Sequence, residues 1–312
     1  MKRAFVFPGQ GSQKIGMGKA LAETFAEARA VFQEIDDVLG QKLSSLMFEG
    51  SEDDLKLTEN TQPALMAVSM AVIRVLAGQG GFMIKDKAAC VAGHSLGEYA
   101  ALCAAESLTL SDTAQLLRLR GQAMQKAVPV GIGGMAALMG AEIDIAREIA
   151  AAAALDEVCV AANDNAVGQI VLSGHLTAID RALAIAAERG LRRSIKLPVS
   201  APFHSPLMQP AADVMREALE RVVVQAPVVP LIANVTAQPT QDPTEIRQLL
   251  VAQVTGTVRW RESVLFMKAQ GVEQLVECGS GSVLAGLAKR IDKELPALSL
   301  QTPEDIEAFL KA

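Results

Sequence analysis

Residues 88 to 106 read Ala-Ala-Cys-Val-Ala-Gly-His-Ser-Leu-Gly-Glu-Tyr-Ala-Ala-Leu-Cys-Ala-Ala-Glu, and the reading of this stretch decides the fold. The apolar run from Ala88 to Ala92 predicts a short buried strand, and the small-residue run from Tyr99 to Ala105 predicts a buried helix. Between them lies Gly93-His94-Ser95-Leu96-Gly97, a Gly-x-Ser-x-Gly at a strand-to-helix junction. That context turns the pattern into a nucleophile elbow, in which a sharp turn lifts the central serine above the sheet edge. Glycines two positions either side avoid the clash that such a turn creates. Ser95 would then stand at the positive N-terminus of the following helix.

The rest of the composition suits a large aliphatic domain. The chain has 312 residues, 50% of them apolar and only 4% aromatic, enough to bury a sizeable core. A net charge of −6 without a basic run argues against nucleic acid as the main partner. No apolar stretch reads as approaching the ~20 residues that span a bilayer. The run before Pro8 is too short for a signal peptide. Cys90, Cys103, Cys159 and Cys278 sit in apolar segments without a Cys-x-x-Cys pair, so buried free thiols in a reducing cytoplasm are expected, and no zinc.

In chain order, Arg3 to Phe7 predicts a central strand ending at Pro8. Pro8-Gly9-Gln10-Gly11-Ser12-Gln13 is glycine-rich, but both nucleotide fingerprints fail there. It is an ordinary turn, or a loop aiming a backbone N–H at an oxyanion on the neighbouring strand's serine. Helices are expected at about 19–39, from Asn60 to Leu76, and at about 112–127 with Ser111 as N-cap. In the last of these Arg120 falls among Leu116, Leu117, Ala123 and Met124, whereas Arg118 lies on the more polar side. A buried arginine without an acidic neighbour in its helix needs an anion from elsewhere, either a distant Asp or Glu or a ligand.

From Gly131 the predicted order is strand 134–139, helix 143–154, strands 158–162 and 169–173, helix 176–190 and strand 193–197. This β-α-β-β-α-β order is the ferredoxin-like unit. It divides the chain into a catalytic domain of residues 1–129 and 198–312 and an inserted small domain of residues 130–197. After the proline-rich loop 199–206, the expected elements are helix 210–223, strand 228–233, helices 244–254 and 260–270, strand 273–277, helix 283–292, and a last strand and helix over 298–311.

A serine nucleophile needs a base within hydrogen-bond reach. His94 is expected to point away from its neighbour Ser95, and His175 reads as a cap-adjacent surface residue. His204 lies C-terminal to the elbow in the same domain, the order that hydrolase-like sheets require. No third acidic member stands out. Asp164, in Ala-Asn-Asp-Asn, reads as a turn residue of the insert.

Phe-Pro-Gly-Gln-Gly-Ser-Gln at 7–13, Gly-His-Ser-Leu-Gly-Glu-Tyr at 93–99, Arg120-Gly121, Pro202-Phe203-His204 and Ala252-Gln253-Val254 together resemble the malonyl-CoA:acyl-carrier-protein transacylases. These are stand-alone bacterial fatty-acid synthesis enzymes, related to polyketide synthase acyltransferase domains. The resemblance covers essentially the whole chain. It implies a hydrolase-like α/β domain with a mainly parallel sheet and a ferredoxin-like small domain. It implies Ser95 as the acylated nucleophile and His204 as its base, steadied by the main-chain carbonyl of Gln253 in place of an acid. It further implies an oxyanion hole from the N–H groups of Gln10 and Leu96, a grip of Arg120 on the malonyl carboxylate, and Phe203 narrowing the pocket beside the malonyl α-carbon. Malonyl-CoA and acyl carrier protein would be the substrates of a monomer without metal or redox cofactor. Arg189, Arg192, Arg193 and Lys196, or Lys289 and Arg290, are candidate contacts for an acidic carrier. The usual Gly-Pro-Gly near the C-terminus is replaced by Gly279-Ser280-Gly281, which bears only on the rigidity of that turn. A carboxylesterase or thioesterase, or a non-catalytic carrier-binding module, are the competing classes.

The three histidines separate under mutation. His204→Ala is expected to slow Ser95 acylation by about two to four orders of magnitude, the usual worth of a positioned base. His175→Ala is expected to leave that rate nearly unchanged, and the reverse ranking would overturn the choice of base.

Overall fold

Strand β1 (Arg3–Phe7) is buried along almost its whole length and ends where Pro8 can no longer donate to the ladder. The computed structural model describes residues 1–199 and 201–312; Ser200, in the proline-rich loop, lies outside the described residues. Strands β2 (Ala88–Gly93), β7 (Leu231–Ile232), β8 (Pro239–Thr240), β9 (Gln274–Cys278) and β10 (Ala297–Leu300) join β1 in one sheet of order β10-β9-β1-β2-β7-β8. All neighbours are parallel except β7 and β8. Between β2 and β7 the chain forms a second sheet from β3 (Gly133–Met139), β4 (Cys159–Ala166), β5 (Gln169–His175) and β6 (Ile195–Lys196). Its order is β4-β5-β3-β6 and every pair is antiparallel. The protein is therefore a mixed α/β structure with a mainly parallel large sheet and a small antiparallel one.

Helices cover both faces of the large sheet. Phe5, Phe7 and Val91 face the larger core, built with helices Ala26–Leu39, Thr58–Gly80 and Leu110–Lys126. Ala4, Val6, Cys90 and Ala92 face the opposite way, onto helices Trp260–Ala269 and Val283–Ile291, as the two-residue period of a strand requires. The small sheet packs one face on helices Ile143–Ala154 and Leu176–Glu188. Its other face carries Met135, Ala162 and Val171 against Phe203.

Several elements depart from the sequence reading for identifiable reasons. The expected helix over 19–39 breaks at Phe25, whose extended backbone (φ −116°, ψ 130°) turns its ring into the core between helices Lys19–Thr24 and Ala26–Leu39. The cap of helix Leu110–Lys126 is Thr109, which accepts from Asp112 N at 3.0 Å, while Ser111 bonds Glu34; such a cap is worth about 1 kcal/mol. The strand expected over 228–233 is only Leu231–Ile232, because Pro230 has no N–H and contributes its carbonyl alone, to Val91 N at 2.9 Å. Helix Thr58–Gly80 starts two residues earlier than expected and runs for 23 residues. Contrary to the sequence reading it is long and apolar enough to cross a membrane (mean hydropathy 1.4), yet 67% of that window is buried inside the protein. A helix apolar on all sides at the centre of a large core has this composition.

Asp164 is not a turn residue. It lies in β4 and is 1% exposed, paired to Arg261 at 3.0 Å. Around it β4 is sewn to residues after helix Pro243–Thr255: Asn163 bridges Val258 in parallel, Val258 N donates to Ala162 O and Asp164 N to Val258 O. This seam holds the small sheet's inner face above the C-terminal ends of β1 and β2.

Those ends meet closely. A Cβ on Gly93 would stand 1.9 Å from Gly97 C, and one on Gly97 would stand 2.2 Å from Phe7 O. Gly97→Ala is therefore expected to cost about 3 kcal/mol through forced backbone displacement. Gly286, exposed within helix Val283–Ile291, would carry a Cβ into open space, with nothing within 4 Å. Gly286→Ala is expected to stabilise by about 0.5–1 kcal/mol. Denaturant unfolding of both variants checks the opposite signs.

Candidate active site

Ser95 occupies the turn between β2 and helix Gly97–Ala104 with φ 53°, a left-handed conformation that a serine adopts only when its surroundings enforce it. The enforcement is visible at both ends of the residue. Ser95 N donates to Asn234 Oδ1 at 2.8 Å, and Ser95 O accepts from Gln253 Nε2 at 2.9 Å and from Glu98 N at 3.0 Å. Asn234 Nδ2 donates in turn to Gly93 O at 2.6 Å.

Ser95 Oγ lies 2.8 Å from His204 Nε2, and His204 Nδ1 lies 2.8 Å from the main-chain oxygen of Gln253. A carbonyl can only accept, so Nδ1 carries the proton and Nε2 is left to accept from the Ser95 hydroxyl. Burial, reinforced by the positive charge of Arg120, pushes the His204 imidazole down to about 3. The ring is therefore neutral at ordinary pH, the form that can take a proton.

Arg120 is 1% exposed on helix Leu110–Lys126. Its Nη1 donates to Gln62 Oε1 at 2.7 Å, and its Nη2 to Gln253 Oε1 at 2.8 Å and Ser95 Oγ at 3.1 Å. The Tyr99 ring lies 5.6 Å from its guanidinium carbon. Among the described residues Nε has no hydrogen-bond partner and Arg120 makes no ion pair. A guanidinium taken out of water and bonded directly only by amides and a hydroxyl, with a ring beside it, has no anion in contact with it.

Gln10 and Leu96 both line the same cavity of about 280 Å³ with Ser95, His204 and Arg120. Gln10 sits in the loop after β1, its side-chain oxygen accepting from Thr58 Oγ1 at 2.8 Å. Leu96 immediately precedes helix Gly97–Ala104. Among the described residues the main-chain N–H of neither has a protein acceptor. Phe203 lines the cavity from the side of the small sheet. The turn at Gly279-Ser280-Gly281 is tied to the Gln10 loop in another way than by proline: Ser280 Oγ donates to Ser12 O at 2.8 Å.

Among the described residues, the other histidines, the cysteines and Arg118 make no hydrogen bond to Ser95 or His204, although His94 lines the same cavity. His94 Nε2 meets Asn165 Oδ1 at 2.7 Å rather than Ser95, and burial lowers its pKa. His175 precedes helix Leu176–Glu188 and its Nδ1 accepts from Val158 N at 2.9 Å. All four cysteines are free and buried, and burial pushes the thiols of Cys90 and Cys103 up to about 12. Arg118 is half-buried and bonds Asn60 at 3.0 Å.

Sequence reasoning missed Gln62, Glu98, Asn163, Asn165 and Asn234. Gln62 reads only as part of a helix start. In Asn163-Asp164-Asn165 the signal is the two-residue spacing, which sends both amides to the cavity and Asp164 to Arg261. Glu98 and Asn234 carry no local signal, because their partners are far away in the chain.

The acyl transferase domain family model matches residues 4–297. The malonyl CoA-acyl carrier protein transacylase of Bacillus subtilis is 42% identical over 311 residues, covering 99% of this chain and 96% of that protein. The Escherichia coli K12 enzyme of the same name is 42% identical and covers 99% and 98%. Among solved structures, the acyl-carrier-protein S-malonyltransferase of Bartonella henselae superposes with a TM-score of 0.98 at 57% identity, covering 100% and 99%. A malonyl-transacylase solved in complex with a type II polyketide acyl-carrier protein superposes at 0.96 with 39% identity, covering 100% and 99%. With the family model spanning residues 4–297 and full-length relatives at 42% identity, the chain belongs to the acyl transferase domain family.

Proposed function

We propose that this protein transfers the malonyl group of malonyl-CoA to the phosphopantetheine thiol of acyl carrier protein, supplying fatty-acid synthesis. The observation that carries the reading is Arg120: a buried guanidinium without a carboxylate partner among the described residues, its Nη2 3.1 Å from the Ser95 hydroxyl. An acyl group on Oγ that ends in a carboxylate supplies an anion in direct contact with the guanidinium. A plain esterase gains nothing from such a charge, so the same observation disfavours that class.

In the first half-reaction His204 Nε2 takes the hydroxyl proton of Ser95 as Oγ attacks the thioester carbonyl. The Gln10 and Leu96 N–H groups hold the oxyanion, each worth about 3 kcal/mol. The C–S bond then breaks, the proton passes from His204 to the CoA sulfur, and a Ser95 ester remains. In the second half-reaction the carrier thiol gives its proton to His204 and attacks the ester, and Ser95 recovers its proton on leaving. The Gln253 carbonyl keeps the imidazole oriented throughout. The Arg120–carboxylate pair fixes the ester against in-line attack by water, and Phe203 narrows the space beside the α-carbon. These steps draw on the two thiols alone and call on no metal or redox group.

The same reading takes residues 1–129 and 198–312 as a hydrolase-like catalytic domain and 130–197 as a ferredoxin-like insert, supported by the β4-β5-β3-β6 order. For the carrier, the candidates at Lys289 and Arg290 are favoured. Their helix supplies Val283, Leu284 and Leu287 to the cavity, whereas Arg189 and Lys196 are already paired with Glu148 and Asp180.

Arg120→Ala is expected to weaken kcat/KM for malonyl-CoA by about 2–5 kcal/mol, the cost of truncating one side of a buried charged pair. Use of acetyl-CoA, which brings no charge, is expected to be spared or improved. Rates with the two thioesters, alongside thermal melting, test this. Equal losses on both with a lowered melting temperature would make Arg120 a structural residue and remove the reading's support.

A further inference from the structure

Glu98 is fully buried in the first turn of helix Gly97–Ala104, and the mechanism above gives it no part. Its Oε2 accepts from Asn234 N and from Gln253 Nε2, each at 3.0 Å. Its Oε1 has no partner among the described residues. On the other end of the Gln253 amide, Oε1 accepts from Arg120 Nη2 at 2.8 Å. A buried carboxylate and a buried guanidinium thus stand one amide group apart, with the amide dipole aligned between them: its N–H toward the anion and its oxygen toward the cation. The donors and acceptors on either side fix which way that amide faces. Among the described residues, this arrangement is the nearest thing Arg120 has to an ion pair.

We infer that Glu98 is the resting counter-charge of Arg120, relayed through Gln253, and that it takes up one proton from solvent when the malonyl carboxylate pairs with Arg120. The inference rests on the reading that Arg120 receives that carboxylate. With the substrate's anion in place, two carboxylates share one guanidinium, and a buried site cannot keep both charged. The malonyl carboxylate contacts Arg120 directly and Glu98 does so only through an amide, so Glu98 is the one neutralised. Oε1 is the oxygen free to take the proton, and the hydrogen bonds that Oε2 accepts are unaffected. Glu98 acts here as a positioning residue. It keeps Gln253 oriented for Ser95, His204 and Arg120, and it matches the pocket's charge in the empty and loaded states.

The ionisable groups that bear on Glu98 are Arg120 on helix Leu110–Lys126 and Tyr99 on its own helix. The other neighbours, Asn234 and Gln253, bring amides, and neutral His204 meets the far side of Gln253. Burial pushes the Glu98 carboxyl up to about 7, pulled back by the Asn234 and Gln253 N–H donors and by the charge of Arg120. A second anion at Arg120 cancels the attraction that favours ionised Glu98, so its pKa rises further and protons are bound. Uptake is largest between the resting pKa and the raised one, and vanishes at lower pH, where Glu98 is already neutral.

The test mixes the full chain with malonyl-CoA in weakly buffered solution containing a pH indicator. The Ser95 ester is counted by intact mass, and the small proton release of the free CoA thiol, measured separately, is subtracted. At pH 7.5 the expected uptake is a substantial fraction of one proton per ester, falling by about twofold or more at pH 6. Glu98→Gln, which retains an acceptor for both N–H donors, is expected to take up none at either pH. Ser95 acylation with equal uptake at the two pH values, or with equal uptake in wild type and variant, would overturn the inference while leaving the transfer reading intact. If no ester forms at all, the reading of Ser95 and Arg120 fails and takes this inference with it. Should Glu98→Gln fold poorly, the wild-type pH comparison decides by itself.

Discussion

The amide of Gln253 holds the site together. It is fully buried on helix Pro243–Thr255, and its side-chain oxygen takes Arg120 while its nitrogen gives to Ser95 O and Glu98. Its main-chain oxygen takes His204 Nδ1. One residue therefore sets the peptide of the nucleophile, the tautomer of the base and the orientation of the guanidinium. These come from three separate segments of the chain, and hydrogen bonds this short tolerate little error. The catalytic geometry depends on helix Pro243–Thr255 docking correctly as well as on the local geometry of the elbow.

Burying Arg120 is a large electrostatic liability, since removing an ion from water costs several kcal/mol even after relaxation. Two amide oxygens, the Ser95 hydroxyl and the Tyr99 ring offset part of that cost. Such a site favours any ligand that brings an anion into direct contact with the guanidinium, which is how binding energy is directed to one acyl group. The same charge helps to keep His204 neutral, so selectivity and the unprotonated state of the base share one cause. The seam between β4 and Val258 completes the arrangement by holding the small sheet, with Asn163 and Asn165, over the cavity, where it packs on Phe203.

Much of this was legible in the sequence because it is local. The elbow announces itself through Gly93 and Gly97, whose Cβ atoms would collide with neighbouring backbone. The small sheet announces itself through alternating strands and helices. Arg120 is marked by the apolar residues of its own helix face. What escaped is non-local or locally ambiguous. Asn163-Asp164-Asn165 has the composition of a turn, and only its partners reveal a strand. The break at Phe25 answers to core packing, which no propensity anticipates. Glu98, Asn234 and Gln62 are polar residues whose burial makes sense only once partners from other segments arrive, so no window of sequence contains the signal.

The most direct test is intact-mass analysis of the full chain, first with malonyl-CoA and then with holo acyl carrier protein. The account predicts one malonyl group per chain, mapped to Ser95 and absent from Ser95→Ala, which then passes quantitatively to the carrier thiol. Label persisting on Ser95→Ala, or malonate released to water while the carrier stays unloaded, would contradict it.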